Sequence, residues 1–221
     1  SPAALAAVVE RSGLDFGDEH GQAQHAAMLR LGTGGAVGVA VGVAGSGKTA
    51  LLRPLVDAWT AQGDQVIGVA IAWRQAEPLK EAGAGSVAAL TGFLHGVKAG
   101  RISVGTRTVV VVDELGQVGA RQMLELLRLR EQHGFRIVAV GDDKQCQGIE
   151  AGPVVNLMRR ALGAEAVPEI LTTRRQRTER EREIAGLFRD GRAAEALAMK
   201  RVDGTAEAVP GGYDDAVRRV A

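Results

Sequence analysis

A single cysteine, Cys146, excludes an internal disulfide and fits a reducing compartment. Aromatic residues are scarce too, at 3%, so a core must be filled by Ala, Val, Leu and Ile, as in strands buried on both faces of a parallel sheet. No apolar run reaches the roughly 20 residues that span a bilayer. Nor does Ser1-Pro2-Ala3 carry the charged start of a secretory signal. These absences predict a soluble, cytoplasmic protein with no membrane partner. Neither sign of charge dominates: the formal net charge is +1, so bulk charge argues neither for nor against a polyanionic partner.

Hydrophobic residues make up 46% of the 221 and charged residues 24%, enough for one α/β domain with a full core. Gly42-Val43-Ala44-Gly45-Ser46-Gly47-Lys48-Thr49 follows an apolar run, Ala36 to Val41, and leads into a helix-like stretch beginning near Ala50. It fits the GxxxxGK(S/T) pattern of a phosphate-binding loop. Glycines let successive N–H groups turn inward around an anion, and the following helix aims its positive end at the same place. The nucleotide-binding candidates are Gly42, Ala44, Gly45, Ser46, Gly47, Lys48, Thr49 and Ala50. Lys48 is expected to reach the β and γ phosphates, and the Thr49 hydroxyl to meet Mg²⁺.

Further along, Glu19 to Leu31 predicts a helix ended by Gly32 and Gly34-Gly35, with Ala26, Ala27 and Leu31 as its apolar contacts. Leu51, Leu52, Leu55, Val56 and Trp59 recur at helical spacing and read as core. Gln65 to Ile71 predicts a strand, and Arg74 to Ala82 and Ser86 to Lys98 predict helices. Arg107 to Glu114 is the strongest strand, a β-branched run ending in two carboxylates whose valines imply burial on both faces. A helix over Gly119 to His133 and a strand over Phe135 to Val140 follow. Beyond Ala151 come helical segments, a short strand near Glu169 to Leu171 and a long Arg/Glu-rich helix. The alternation predicts a parallel sheet covered on both faces, with ligands at the carboxyl ends of its strands.

The polar motifs fall at those ends. Asp113 and Glu114 close the valine strand; Asp113 can hold the Mg²⁺ shell, while Glu114 can orient and deprotonate an attacking water. A kinase needs no such second acid, because its acceptor brings the hydroxyl. Gly141-Asp142-Asp143-Lys144-Gln145 ends a strand that, in this class of sheet, can lie between the loop-bearing and acid-bearing strands. From there Gln145 can touch the γ phosphate and report its loss. In Thr172-Thr173-Arg174-Arg175-Gln176, Arg174 and Arg175 compete to stabilise charge on the transferred phosphoryl group. Arginines also crowd the last third, offset in part by Glu179, Glu181 and Glu183. Both a solvated helix face and a nucleic-acid surface satisfy that pattern.

Taken in order, GVAGSGKT, VVVVDELG, VGDDKQCQGIEAG and LTTRRQ closely resemble motifs I to IV of superfamily 1 helicases of the RecD-like branch. The resemblance is strongest to the helicase part of MobF-type conjugative relaxases, and it covers roughly residues 14 to 221. It implies a RecA-like P-loop fold, ATP and Mg²⁺ as cofactors and single-stranded DNA as a partner. It implies Lys48, Glu114, Gln145 and Arg175 as catalytic residues, Arg175 matching better than Arg174, with Thr49 and Asp113 toward the metal. Gln24, with Gln22 as its rival, stands where the family reads adenine. Trp73 and Arg74 fall in motif Ia, which touches DNA, although the sequence there departs from the commoner Thr-Gly-Lys-Ala-Ala.

His20, His25, His95 and His133 are scattered and Tyr213 is the sole tyrosine, so the nicking chemistry of a relaxase is not expected within these residues. Motifs V and VI are also missing. The expected organisation is an N-terminal extension over 1–13, a motor domain over 14–200 and a connector over 201–221. That connector would lead to a second RecA-like domain in a chain that also carries a relaxase domain. The rival readings are a small P-loop kinase and a non-catalytic nucleotide-binding scaffold.

Overall fold

Among the described residues six short strands, none longer than six residues, supply the frame. In the computed structural model they are β1 (Val37–Gly42), β2 (Gln65–Ala70), β3 (Ser86–Ala89), β4 (Thr108–Val112), β5 (Arg136–Gly141) and β6 (Glu169–Ile170). All pair in parallel, in the order β3-β2-β4-β5-β1-β6. The structure describes residues 2–33, 35–43, 45–142, 153–172 and 178–206. Its backbone contacts divide the chain into two units, 1–175 and 176–221.

The first unit also contains α1 (Pro2–Arg11), α2 (Glu19–Thr33), α3 (Lys48–Ala61), α4 (Trp73–Glu81), α5 (Leu90–Lys98), α6 (Ala120–His133) and α7 (Val154–Leu162). Alternation along the central strands sends side chains to opposite layers. Val110 and Val112 join Ile137, Phe93, Leu126 and Met158 beneath α5, α6 and α7. Val109 and Val111 join Val138, Leu52, Leu55, Met28 and Leu5 beneath α1 to α4. Every residue of β4 is buried, its four valines as their unbroken apolarity requires. Strand β5 lies between β1 and β4, so the loop after β1 and the acids after β4 flank its tip.

The RecA-like α/β fold expected from the sequence is therefore the fold observed, with local corrections. The predicted helix over Ser86 to Lys98 is instead an edge strand, β3, running straight into α5. Pairing of Ile67–Ala70 with Ser86–Ala89 outweighs the helical preference of Ala88 and Ala89. Helix α2 continues through Gly32 to Thr33, where Arg136 donates to the terminal carbonyls of Leu31 and Gly32. Ala26 is exposed, and the buried face of α2 instead carries His20, Gln24, Ala27, Met28 and Leu31. Helix α3 begins at Lys48. The N-terminal α1 packs on α2 and α3 through buried Leu5 and Val9.

In the second unit the Arg/Glu-rich stretch forms two helices, α8 (Glu179–Arg189) and α9 (Ala193–Val202). Thr178 and Glu181 cap the start of α8 reciprocally, each side chain accepting the other's N–H at 3.1 Å. Arg180 makes a forked pair with Asp203 at 3.0 and 3.1 Å, which favours the solvated-face reading for that arginine.

The tip of β5 tolerates no side chain at Gly141: a Cβ there would lie 2.7 Å from the Leu115 N and 3.0 Å from the Gly116 N. Backbone atoms cannot rotate away. Gly141→Ala is expected to lower the urea midpoint by the equivalent of about 1–3 kcal/mol. Gly92→Ala, in α5 where a Cβ meets nothing within 4 Å, is expected to gain about 0.5–1 kcal/mol. Equal effects in the two variants would refute this account of the tip.

Candidate nucleotide site

The loop between β1 and α3 is shaped by two glycines in the left-handed region, Gly45 at φ 77° and Gly47 at φ 78°. A side chain at either is strained, and a Cβ on Gly47 would also meet the Gln24 Nε2 at 2.8 Å. The strand ladder extends into the loop, since Val43 N donates to Ile170 O at 3.1 Å. Ser46 is fully buried, and its N donates to Val43 O at 3.0 Å. Lys48 opens α3 and turns back over the loop, its Nζ donating to Gly42 O at 2.9 Å. Thr49 and Ala50 are exposed in the first turn of that helix. Ala44 lies outside the described residues.

Across β5, Asp113 follows β4 and is only 8% exposed. Its backbone N donates to Val69 O at 2.9 Å, and its Oδ1 accepts from the Glu114 N at 2.8 Å. Burial raises the Asp113 carboxyl from its usual 3.8 to about 6. The Glu114 N–H opposes that rise, the Glu114 charge adds to it, and the Lys48 ammonium pulls it back down. Lys48 thus acts on Asp113 electrostatically, though less than burial does. Glu114 is the one non-glycine residue with positive φ among those described, at 53° with ψ 46°. It opens a single tight turn, Leu115–Gln117, where the backbone leaves the path of the strand.

That turn lies against the end of β5: a Cβ on Gly116 would sit 2.4 Å from Asp142 O. Asp142 itself is buried at the tip. Of the two adenine-reading candidates, Gln24 is buried beside the loop, donating to Ser46 O at 2.9 Å, whereas Gln22 is exposed. Trp73 is 55% exposed and Arg74 is exposed, together at the start of α4 beside the carboxyl end of β2. Gln145, Arg174 and Arg175 lie outside the described residues. The structure thus brings Lys48, Asp113, Glu114 and Gln24 to one end of the sheet.

Three features escaped the sequence reading. His20 and Thr172 pair at 2.7 Å, joining α2 to the segment after β6. Gln75 and Gln117 pair at 3.0 Å, joining α4 to the acid turn. Gly116 and Gly141 permit backbone-to-backbone approach. Only the glycines left a trace in the sequence, as small residues inside VVVVDELG and before Asp142-Asp143.

A parallel sheet with a glycine loop at one strand end and paired acids two strands away defines an α/β P-loop domain of RecA-like type. The family model described as the AAA domain matches residues 19–210, and the chain belongs to that family. Conjugal transfer protein TraA of Rhizobium radiobacter is 32% identical over 92% of this chain and 18% of its own length. Conjugal transfer protein TraA of Agrobacterium fabrum (strain C58) is 33% identical over 90% of this chain and 17% of its own. A probable conjugal transfer protein TraA of Sinorhizobium fredii is 35% identical over 63% and 13%. The chain thus spans less than a fifth of the length of these relatives. The resemblance to a RecD-like helicase domain, read from the four motifs, is borne out. Among the described residues no helix is long and apolar enough to cross a membrane.

The buried acid has a measurable signature. Because the folded state holds the Asp113 proton more tightly than the unfolded state, this group favours folding most below about pH 4. Its contribution declines as pH rises to about 6 and is level above. In EDTA and without nucleotide, Asp113→Asn is therefore expected to raise stability at pH 7.5 by on the order of 1–3 kcal/mol. The gain should shrink toward zero near pH 4, with urea midpoints as the readout. A variant less stable than the parent at pH 7.5 would contradict the burial argument.

Proposed function

We propose that this chain is the ATP-binding and ATP-hydrolysing motor domain of a DNA helicase that serves conjugal transfer. The observation that carries the proposal is the meeting of Lys48, Asp113 and Glu114 at the ends of β1 and β4, on either side of the β5 tip. The conjugal transfer relatives support the biological setting.

On this reading the loop N–H groups and Lys48 hold the phosphates, and an incoming triphosphate draws the ammonium from Gly42 O. Thr49 and Asp113 offer hard oxygen donors, the set that suits Mg²⁺, and a buried carboxylate whose proton affinity is raised gains from a cation beside it. When bound, that ion would neutralise charge on the transferring phosphoryl group. Glu114, held out of line by its left-handed backbone, orients and deprotonates water. Gln24 reads the adenine edge while bracing the loop at Ser46 O. Gln145 senses the γ phosphate and Arg175 stabilises the developing charge. A second RecA-like domain completes the cleft, so this domain alone turns over slowly. Single-stranded DNA lies across the start of α4, where Trp73 offers a stacking face and Arg74 a phosphate contact.

Two variants separate binding from chemistry. Glu114→Gln is expected to keep ATP affinity within about threefold while phosphate release falls about 100-fold or more. Lys48→Ala is expected to weaken ATP binding about 10- to 100-fold. Titration with a fluorescent ATP analogue and a phosphate-release assay on the full chain measure both. Undiminished phosphoryl transfer to a small acceptor by Glu114→Gln would instead identify a kinase, and phosphate release no faster than background even with the downstream domain restored would identify a scaffold.

A further inference from the structure

We propose that Gln75 and Gln117 are positioning residues for hydrolysis: their amide–amide bond carries the effect of single-stranded DNA on α4 to the turn that holds Glu114. This inference rests on the reading above, in which DNA meets Trp73 and Arg74 and Glu114 activates water.

The bond belongs to a continuous path. Gln75 sits in the first turn of α4, and its Oε1 accepts the N–H of Ala72 at 3.1 Å, the residue before the helix. That acceptance fixes which end of the amide faces outward, so the Nε2 donates to Gln117 Oε1 at 3.0 Å. Gln117 in turn donates its backbone N–H to Glu114 O at 2.8 Å. Three hydrogen bonds thus lead from the backbone beside Trp73 to the carbonyl of the one left-handed non-glycine residue among those described.

The placement suits transmission better than support. Helix α4 is anchored independently by buried Ala76 and Leu79, and the acid turn by buried Leu115 and Val118. Both glutamines are only half-buried, so neither core layer depends on them. They cross from the first turn of α4 to the β4–α6 connection, which gives α4 a direct polar hold on the acid turn. A residue held in a sparsely populated backbone region keeps that conformation only through its surroundings, so the hydrogen bond at its own carbonyl bears directly on how it is held. Movement of the α4 start on a bound strand therefore changes how Glu114 is presented.

The test uses the full-length protein, in which the proposed second RecA-like domain completes the cleft, with ATP and an oligothymidylate. The readouts are DNA-free turnover, saturating DNA-stimulated turnover and oligonucleotide affinity by anisotropy. Gln117→Leu and Gln75→Leu are each expected to reduce the ratio of stimulated to DNA-free turnover by about threefold to tenfold, the range one neutral hydrogen bond supports. Oligonucleotide affinity is expected to stay within about twofold. The double variant is expected to match the single ones, because the second substitution finds the bond already broken. Gln117→Glu, whose carboxylate still accepts from Gln75, is expected to keep most of the stimulation. If one leucine variant does not fold, the other carries the measurement. A ratio unchanged in the leucine variants, additive losses, or losses explained by weaker oligonucleotide binding overturn the link while the motor reading stands. A full-length parent protein that hydrolyses ATP without any response to the oligonucleotide overturns the DNA-motor reading, and the link falls with it.

Discussion

Burial of the central strands on both faces is the constraint on which the rest of this molecule depends. Val109 to Val112 and Ile137 to Val140 have no solvent-facing side at all, so a polar side chain within them would lose its water and gain no partner. Polar chemistry is confined to the points where these strands stop. With every strand parallel, one set of stops lies at one edge of the sheet, and the connections leaving it must carry whatever the domain does. Loop, acids and buried Asp142 are neighbours because the valines leave them nowhere else to be.

The same constraint sets the electrostatics. Asp113 is one residue past a fully buried strand, so desolvation dominates its titration, and the single N–H of Glu114 offsets only part of that cost. Glu114 follows immediately yet is presented differently, because its left-handed backbone breaks the alternation of the strand. Two adjacent carboxylates thereby acquire different environments. That difference is what separate roles in metal binding and proton abstraction require, and it comes from backbone conformation rather than from residue type.

Much of this was legible in the sequence, and the rest was hidden for identifiable reasons. The phosphate loop and the valine strand announced themselves because glycine spacing and unbroken β-branching each have few structural outcomes. The position of β5 between its partners followed from motif order. Strand β3 did not show itself, since Ser86-Val87-Ala88-Ala89 has too little β preference and becomes a strand only through its pairing with β2. Ala26 was assigned to the wrong side of α2 because adjacent alanines do not declare which faces inward. The pairs His20–Thr172 and Gln75–Gln117 join residues far apart in the chain, and polar residues in connections carry no periodic signal. Gln145 and Arg175, read from motif order, lie outside the described residues.

The charges at this edge also bear on why the loop and acid favour one kind of ligand. Lys48 is satisfied by the neutral Gly42 carbonyl, a weaker partner than an anion. Asp113, in the same field, holds its proton far more tightly than a solvated carboxyl does. Each group would be better served by the opposite charge, and Asp113 is largely shielded from bulk water. A purely anionic ligand would satisfy Lys48 while pushing the Asp113 carboxyl higher still, and a lone cation would do the reverse. A ligand presenting negative charge to the loop and positive charge to the β4 end relieves both at once. A metal-complexed triphosphate is such a ligand. On the proposed reading, the separation of Lys48 and Asp113 across β5 would select for a charge distribution along the ligand rather than for its net charge.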